Sequence, residues 1–169
     1  MKSALFLVPL LWLCTPFVKT GTDAQNKPAQ SQGHQPFRLF NPDTMAKPTA
    51  GYSQVAEVAG GKMIYVAGQV AMDASGTLVG KDDFRAQVEQ VFNNINAAVQ
   101  AAGGDFHSVI KLNYFCAESV DAALIPSVRE IRDRYVDTAH PPTSTFVVVK
   151  RLARPEWLIE IEAVAVAKK

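Results

Sequence analysis

Two carboxylates near the end of the chain are the clearest candidates for chemistry. Glu160 and Glu162 stand two residues apart in a run rich in β-branched residues, which predicts a strand. In a strand, residues i and i+2 project from the same face, about 7 Å apart. Val164 and Val166 continue that face, so the two carboxylates interrupt an apolar row. Such a carboxylate either pairs with an arginine or lysine or holds a water molecule in a pocket, and both interpretations stay open.

The other polar residues give weaker signals. Four side chains are candidates for lining a polar pocket: Tyr52, Asn113, Ser144 and Thr145. The three histidines stand alone, without a second ligand at the spacing of a metal site: His34, His107 and His140. The sequence contains no phosphate-binding loop, dinucleotide-binding fingerprint or Gly-x-Ser-x-Gly nucleophile turn. We therefore expect neither a metal nor an organic cofactor.

The composition limits the protein to a few classes. The chain has 169 residues, of which 48% are hydrophobic and 20% charged, and its formal net charge is +1. This length suits one globular domain. The near-zero charge argues against a nucleic-acid-binding surface, which requires a marked basic excess. Two cysteines are too few for a disulfide framework or a metal cluster.

Residues 1–24 have the pattern of a signal peptide. Lys2 precedes an apolar run of about ten residues, which is within the signal-peptide range and too short to span a bilayer. An N-terminal hydrophobic anchor is the alternative. The bulky Leu13 before Cys14 argues against lipidation. We expect an exported protein, periplasmic or secreted, whose mature chain has no membrane span.

Residues 25–50 are expected to form a flexible tether that leads into a domain at residues 51–169. No Val, Ile, Leu, Met or aromatic residue occurs between Thr20 and Pro36. This segment therefore cannot bury enough apolar surface to offset the entropy of ordering. Removal of residues 1–24 would leave a formal net charge of zero and Cys116 as the single cysteine.

The remaining sequence predicts an α+β domain. Apolar residues recur every three or four positions from Asp82 to Ala102, which predicts a helix ended by Gly103-Gly104, and a second helix begins near Leu124. Strands are predicted at 53–59, 62–68, 109–116, 146–150 and 157–167, with a hairpin at each end, the first across Gly60-Gly61. We expect a mixed β-sheet with two helices on one face. Apolar residues on both faces of several strands suggest that oligomerisation covers the other face.

Six short motifs follow one another along this domain. They are Tyr52–Gln54, Val66–Gln69, the helix 87–103, Val109–Lys111, Pro141-Pro142 and Leu158–Ala165. Their order resembles the reactive intermediate deaminase family, also called Rid or YjgF-like, across about residues 51–167. The resemblance implies a fold similar to bacterial chorismate mutase and a homotrimer whose sheets face a central barrel, with three clefts between subunits. It also implies hydrolysis of reactive enamines and imines derived from amino acids, which releases ammonia and a 2-keto acid.

The resemblance implies roles for individual residues. Tyr52 matches a tyrosine that lines the cleft, and Gly68 matches a glycine whose backbone faces the ligand. Glu160 matches the glutamate thought to position the attacking water. It is therefore the candidate catalytic residue.

One functional residue of the family is missing. The deaminating branch carries an arginine that grips the substrate carboxylate, and Ser144 occupies that position here. A hydroxyl cannot replace the bidentate hydrogen bonds of a guanidinium, so amino-acid-derived imines should bind weakly unless another cation substitutes. The candidate cations are Arg129, which aligns with an asparagine of the cleft, Lys150 and Arg151. Thr145 and Phe146 complete the predicted substrate-binding set.

Two functions are consistent with these residues. The first is a hydrolase that acts on an imine, an enamine or a related small molecule by means of a water that Glu160 positions. The alternative is a non-catalytic trimer of the cell envelope that binds a small ligand or a protein partner in its clefts. The missing arginine at Ser144 and the predicted export favour the alternative.

Overall fold

The computed structural model describes residues 35–168. The predicted signal peptide, residues 1–24, and the tether residues 25–34 lie outside the described part of the chain. Within residues 35–168, no helix is long and apolar enough to cross a membrane.

Residues 35–168 form six strands, two α-helices and two short 3₁₀ helices. The strands are β1 (Phe37–Phe40), β2 (Val55–Val58), β3 (Lys62–Gln69), β4 (Val109–Ala117), β5 (Thr143–Val149) and β6 (Ile159–Ala167), and the helices are α1 (Phe84–Ala101) and α2 (Pro126–Arg132). The 3₁₀ helices, Phe106–Ser108 and Ala122–Leu124, precede β4 and α2. This set of elements confirms the predicted α+β class.

Four of the strands form the main sheet, in the order β3-β6-β4-β5. β6 runs antiparallel to both β3 and β4, whereas β5 runs parallel to β4. A parallel pair needs a crossover connection, which α2 supplies between β4 and β5. β1 and β2 form a separate antiparallel pair.

Both predicted hairpins are wrong. β2 pairs with β1, and β3 pairs with β6, so no hairpin forms across Gly60-Gly61. A type I′ turn needs positive φ at both central residues, and only Gly61 has it, at 96°. Gly61 is required for another reason, because a Cβ there would lie 2.7 Å from the carbonyl oxygen of Ala167. The second hairpin fails because β6 lies between β3 and β4 instead of beside β5.

The helix α1 begins and ends close to the predicted residues. The Asp83 carboxylate caps its first turn by accepting a hydrogen bond from the Ala86 amide at 3.0 Å. Gly103, with a φ of 85°, follows its last turn. The apolar stripe of α1 is buried as predicted and consists of Phe84, Val88, Val91, Phe92, Ile95 and Val99.

The two faces of the main sheet differ in burial. On the covered face, α1 packs against the sheet together with Val128 and Ile131 of α2, and Leu112 and Ile161 are fully buried. This arrangement confirms the prediction of two helices on one face. The opposite face, called the open face below, carries the alternate residues of the same strands, which are half-buried or exposed: Met63, Tyr65, Lys111, Asn113, Phe115, Thr145, Val147, Glu160, Glu162 and Val164.

Candidate functional site

Glu160 lies on the open face of β6, where it pairs with Phe115 of β4. On its other side the pairing of β6 with β3 is irregular, with a register shift between Val66 and Gln69. A bulge of this kind leaves part of the backbone outside the regular ladder. Glu160 therefore stands beside a stretch of β3 that interrupts the regular pairing of the two strands.

Gly68, inside this bulge, directly contacts the Glu160 carboxylate. A Cβ on Gly68 would collide with the carboxylate oxygen and would lie 2.8 Å from Cδ of Glu160. Any other residue at position 68 would therefore displace the Glu160 side chain. The structure thus brings together two of the predicted site residues, and it gives a steric reason for glycine at one of them.

The two glutamates of β6 have different surroundings. Glu162 accepts a hydrogen bond from Asn113 Nδ2 at 3.3 Å. Within residues 35–168, by contrast, no Lys, Arg or His side chain reaches the Glu160 carboxylate within ion-pair distance. The ion-pair interpretation of this carboxylate therefore does not apply to Glu160 within the described residues, and the interpretation as a water-holding group stays open. Its half-buried carboxylate keeps acceptor capacity for a water molecule or a ligand.

Gln87 fixes the start of β6, a role that sequence reasoning missed. Although polar, it is fully buried on α1. Its amide nitrogen donates to the carbonyl oxygens of Gly80 at 3.1 Å and Glu156 at 2.9 Å, and its Oε1 accepts from the Leu158 amide at 2.9 Å. Because Leu158 lies two residues before Glu160, these bonds help to position the candidate catalytic side chain. The only sequence signal was a glutamine adjoining the apolar stripe.

The second group of predicted residues lies at the start of β5. The amide of Ser53 donates to the Pro142 carbonyl oxygen at 3.2 Å, and Ser53 forms a parallel bridge with Thr143. In this parallel register the half-buried Tyr52 is level with Pro142, two residues before Ser144, at the edge of the sheet. Sequence reasoning gave no signal for this contact, because it joins segments about ninety residues apart.

Arg129 of α2 reaches the same edge. A Cβ on Gly51 would lie 2.9 Å from Nη2 and 3.0 Å from Cζ of Arg129, so the guanidinium rests against the Gly51 backbone. Gly51 immediately precedes Tyr52. The structure therefore brings the Arg129 guanidinium to the backbone next to Tyr52, at the edge of the sheet where β5 begins.

The other two candidate cations have different partners. Lys150 forms an ion pair with the Glu118 carboxylate. The Nη1 atom of Arg151 donates to the Leu152 carbonyl oxygen at 3.1 Å. Of the three candidates to replace the missing arginine, Arg129 is thus the one whose contacts lie beside Tyr52.

The remaining predicted binding residues separate onto opposite faces. Thr145 lies on the open face, where its hydroxyl accepts from Lys111 Nζ at 2.8 Å, and burial lowers the pKa of Lys111. Phe146 points to the covered side and stacks on Tyr114, with ring centroids 5.7 Å apart. Burial raises the pKa of Tyr114, and the nearby Arg132 lowers it in part.

One protomer does not bring the two groups together. Glu160 is level with Phe115 of β4 and hence with Val147 of β5, whereas Ser144 lies three residues earlier on β5. Two strand spacings and three residue rises separate them by roughly 14 Å. Ser144 also shares the covered face with its register partner Leu112, so Glu160 and Ser144 project from opposite faces.

No metal centre and no reactive thiol accompany these groups in the described part of the chain. Within residues 35–168, no group of three or more His, Cys, Asp or Glu side chains could hold a metal ion. Cys116 is free and buried, and burial raises the pKa of its thiol to about 11. A cavity of about 280 Å³ lies elsewhere, near Gly104, His107 and Ala167, and it contains none of the predicted site residues.

Comparison with known proteins places these residues in context. Residues 43–167 match a family model described as Endoribonuclease L-PSP. The chain is 33% identical over 130 residues to protein DfrA of Myxococcus xanthus, covering 77% of this chain and 95% of DfrA. It is 32% identical over 116 residues to the human 2-iminobutanoate/2-iminopropanoate deaminase, covering 68% of this chain and 79% of that enzyme.

Solved structures show the same fold. The crystal structure of YyfB from Yersinia pestis, a protein of the conserved Rid family, superposes with a TM-score of 0.70 and is 34% identical. The match covers 78% of this chain and 99% of YyfB. The structure of RidA from the Antarctic bacterium Psychrobacter sp. superposes with a TM-score of 0.55 at 28% identity, covering 76% of this chain and 98% of RidA.

Proposed function

The chain belongs to the reactive intermediate deaminase family, also called Rid or YjgF-like, and we propose that it is a homotrimer that hydrolyses a small imine or enamine. The observation that carries this proposal is the Glu160 carboxylate, which lies against Gly68 on the open face and has no cationic partner in the described part of the chain. The human relative, named as an imine deaminase, supports the reaction class.

The reaction needs one activated water molecule. Glu160 accepts a hydrogen bond from the water, whose oxygen attacks the carbon of the C=N bond while a proton passes to the carboxylate. Glu160 then returns that proton to the nitrogen. The product of this addition is a carbinolamine, whose hydroxyl proton then passes through Glu160 to the nitrogen. The carbon–nitrogen bond breaks as the carbonyl forms, and ammonia leaves. An enamine enters the same sequence after its tautomerisation to the imine.

A second copy of the chain would complete the site. In one protomer, Glu160 on β6 is two strand spacings and three residues away from Ser144 on β5, and the two side chains project from opposite faces of the sheet. The open face also exposes large apolar side chains, including Tyr65 at 77% and Met63 at 40%. Packing of open faces around a three-fold axis would cover these side chains and set Glu160 of one subunit opposite the β5 edge of the next.

The experiment is an ammonia-release assay with freshly generated 2-aminoacrylate. We expect Glu160→Gln to reduce turnover by about 10²- to 10⁴-fold, because a positioned general base contributes that much. The control is Glu162→Gln, which changes the neighbouring carboxylate on the same face. It should retain activity close to that of the unchanged protein.

The outcomes separate catalysis from binding alone. Turnover that is unchanged in Glu160→Gln would exclude the proposed mechanism. If the protein shows no turnover but is stabilised by small carboxylates or carbonyl compounds in a thermal-shift screen, it is the non-catalytic binding trimer. That alternative draws its support from Ser144, whose hydroxyl cannot replace a bidentate guanidinium.

We also propose that the protein is exported after cleavage of residues 1–24. The support is the sequence of that segment, with Lys2 followed by a short apolar core and small residues near Ala24. The mass and N-terminal sequence of the protein recovered from a fractionated cell test this proposal. A chain that begins at Met1 and stays in the cytoplasmic fraction would contradict it.

A further inference from the structure

The contact between Arg129 and Gly51 is a close approach that only glycine allows. A Cβ on Gly51 would lie 2.9 Å from Nη2 and 3.0 Å from Cζ of Arg129. Gly51 also has a φ of 64°, in the left-handed region that disfavours other residues. The close approach of Arg129 and the positive φ therefore each require glycine at position 51. The result is that the Arg129 guanidinium lies against the residue that precedes Tyr52.

The charges around Arg129 are not balanced. Asp133 Oδ1 accepts a hydrogen bond from Nε of the buried Arg132 at 2.9 Å, whereas its Oδ2 lies 3.6 Å from Arg129 Nε, beyond hydrogen-bond distance. The other acidic residue close to Arg129 in the sequence, Glu130, accepts a hydrogen bond from Arg85 at 2.8 Å. In this part of the described chain, two guanidiniums therefore share one carboxylate. The Arg129 side chain is 54% exposed, so its N–H groups are accessible to an anion.

We propose that Arg129 binds the carboxylate of the ligand, so that α2 supplies the cation that Ser144 cannot supply from β5. The inference rests on the proposed function for the place of the site, at the edge of the sheet where Tyr52 lies and β5 begins. A guanidinium matches the planar geometry of a carboxylate and holds it through two parallel hydrogen bonds. The ligand class is therefore a small monocarboxylate, such as a 2-imino acid or the corresponding 2-oxo acid.

The test measures binding rather than turnover. Titration calorimetry compares pyruvate, the 2-oxo acid formed by hydrolysis of 2-aminoacrylate, with its neutral analogue pyruvamide. The variants are Arg129→Gln and Arg129→Lys. The control is Arg134→Gln, because Arg134 is also 54% exposed, but its guanidinium is hydrogen-bonded to Glu89 at 3.1 Å.

We expect Arg129→Gln to weaken pyruvate binding by about tenfold to a hundredfold, the usual effect of removing hydrogen bonds to a charged group. The pyruvate affinity of Arg129→Lys should fall between those of the unchanged protein and Arg129→Gln, because lysine keeps the charge but not the planar fork. Arg134→Gln should bind pyruvate like the unchanged protein, and pyruvamide should bind weakly to all four proteins.

Three results would overturn the inference: pyruvate binding that is unaffected by Arg129→Gln, pyruvamide binding as tight as pyruvate binding, or no pyruvate binding by the unchanged protein. Each can occur while Glu160→Gln still abolishes ammonia release, and then the proposed function survives without this assignment. Conversely, binding that depends on Arg129 in a protein without turnover would keep the assignment and remove the hydrolase.

Discussion

The two faces of the main sheet are built from the same strands but have different roles. On the covered face, Leu112 and Ile161 are fully buried beneath the helices. On the open face, the neighbouring residues Asn113 and Glu162 are polar and half-buried, and Tyr65 is 77% exposed. The covered face therefore stabilises the protomer, whereas the open face carries the groups that can act on a ligand or contact another copy.

The open face nevertheless carries apolar residues as well as polar ones. A sheet that is covered by helices on one face and solvated on the other normally shows a regular alternation of apolar and polar residues. Here Tyr65, Phe115 and Val147 break that alternation on the open face. The proposed trimer accounts for them, and the predictions below test whether the two faces respond to substitution as differently as this implies.

The largest effect on stability should come from the covered face. We expect Ile161→Ala to lower the free energy of unfolding by about 2–5 kcal/mol, because it removes buried methyl groups and leaves a cavity. Chemical denaturation followed by circular dichroism measures this. Measured on dissociated protomers, at protein concentrations too low for assembly, Val147→Ala on the open face, where the side chain is 38% exposed, should cost about 1 kcal/mol or less. Equal losses in the two variants would contradict the division between the faces.

A charge on the open face should separate the subunits without unfolding them. We expect Tyr65→Asp to convert the proposed trimer to monomers, because assembly would bury the new carboxylate without a partner. Sedimentation velocity gives the mass, and circular dichroism reports the fold. Ala97→Asp, on the exposed side of α1, is the control and should leave the mass unchanged. A trimer that survives Tyr65→Asp would show that the open face is not the interface.

Some of this organisation could be predicted from the sequence, and some could not. The helix α1 was predictable because its apolar spacing and its terminal Gly103 are local signals. The hairpin at Gly60-Gly61 was not, since the favourable local turn was overridden by the pairing of β2 with β1 and of β3 with β6. Gly51 and Arg129 are seventy-eight positions apart, and no local pattern announces that they meet.

The smallest effect should appear at Cys116, on the covered face. Burial raises the pKa of its thiol from an ordinary value of 9.0 to about 11, so the thiol should not react with a thiol reagent in the folded protein near neutral pH. The folded-state pKa of the thiol lies above its unfolded value, so the folded state favours the protonated thiol. The stability that depends on a protonated Cys116 is therefore complete below pH 9 and is lost as the pH rises towards 11. A cysteine at the exposed Ser119, introduced as Ser119→Cys, should react at once. Rapid labelling of Cys116 in the native state would contradict its burial.

Subunit mixing tests most directly the central claim that Glu160 of one copy acts with Tyr52 of another. Glu160→Gln and Tyr52→Ala proteins, each with little activity alone, are unfolded together and refolded as mixed trimers. Random assembly should restore about a quarter of the sites, and hence about a quarter of the original ammonia release, because each site takes its two residues from different subunits. Mixed trimers that are no more active than the average of the two variants would contradict the claim and place both residues of each site in one subunit.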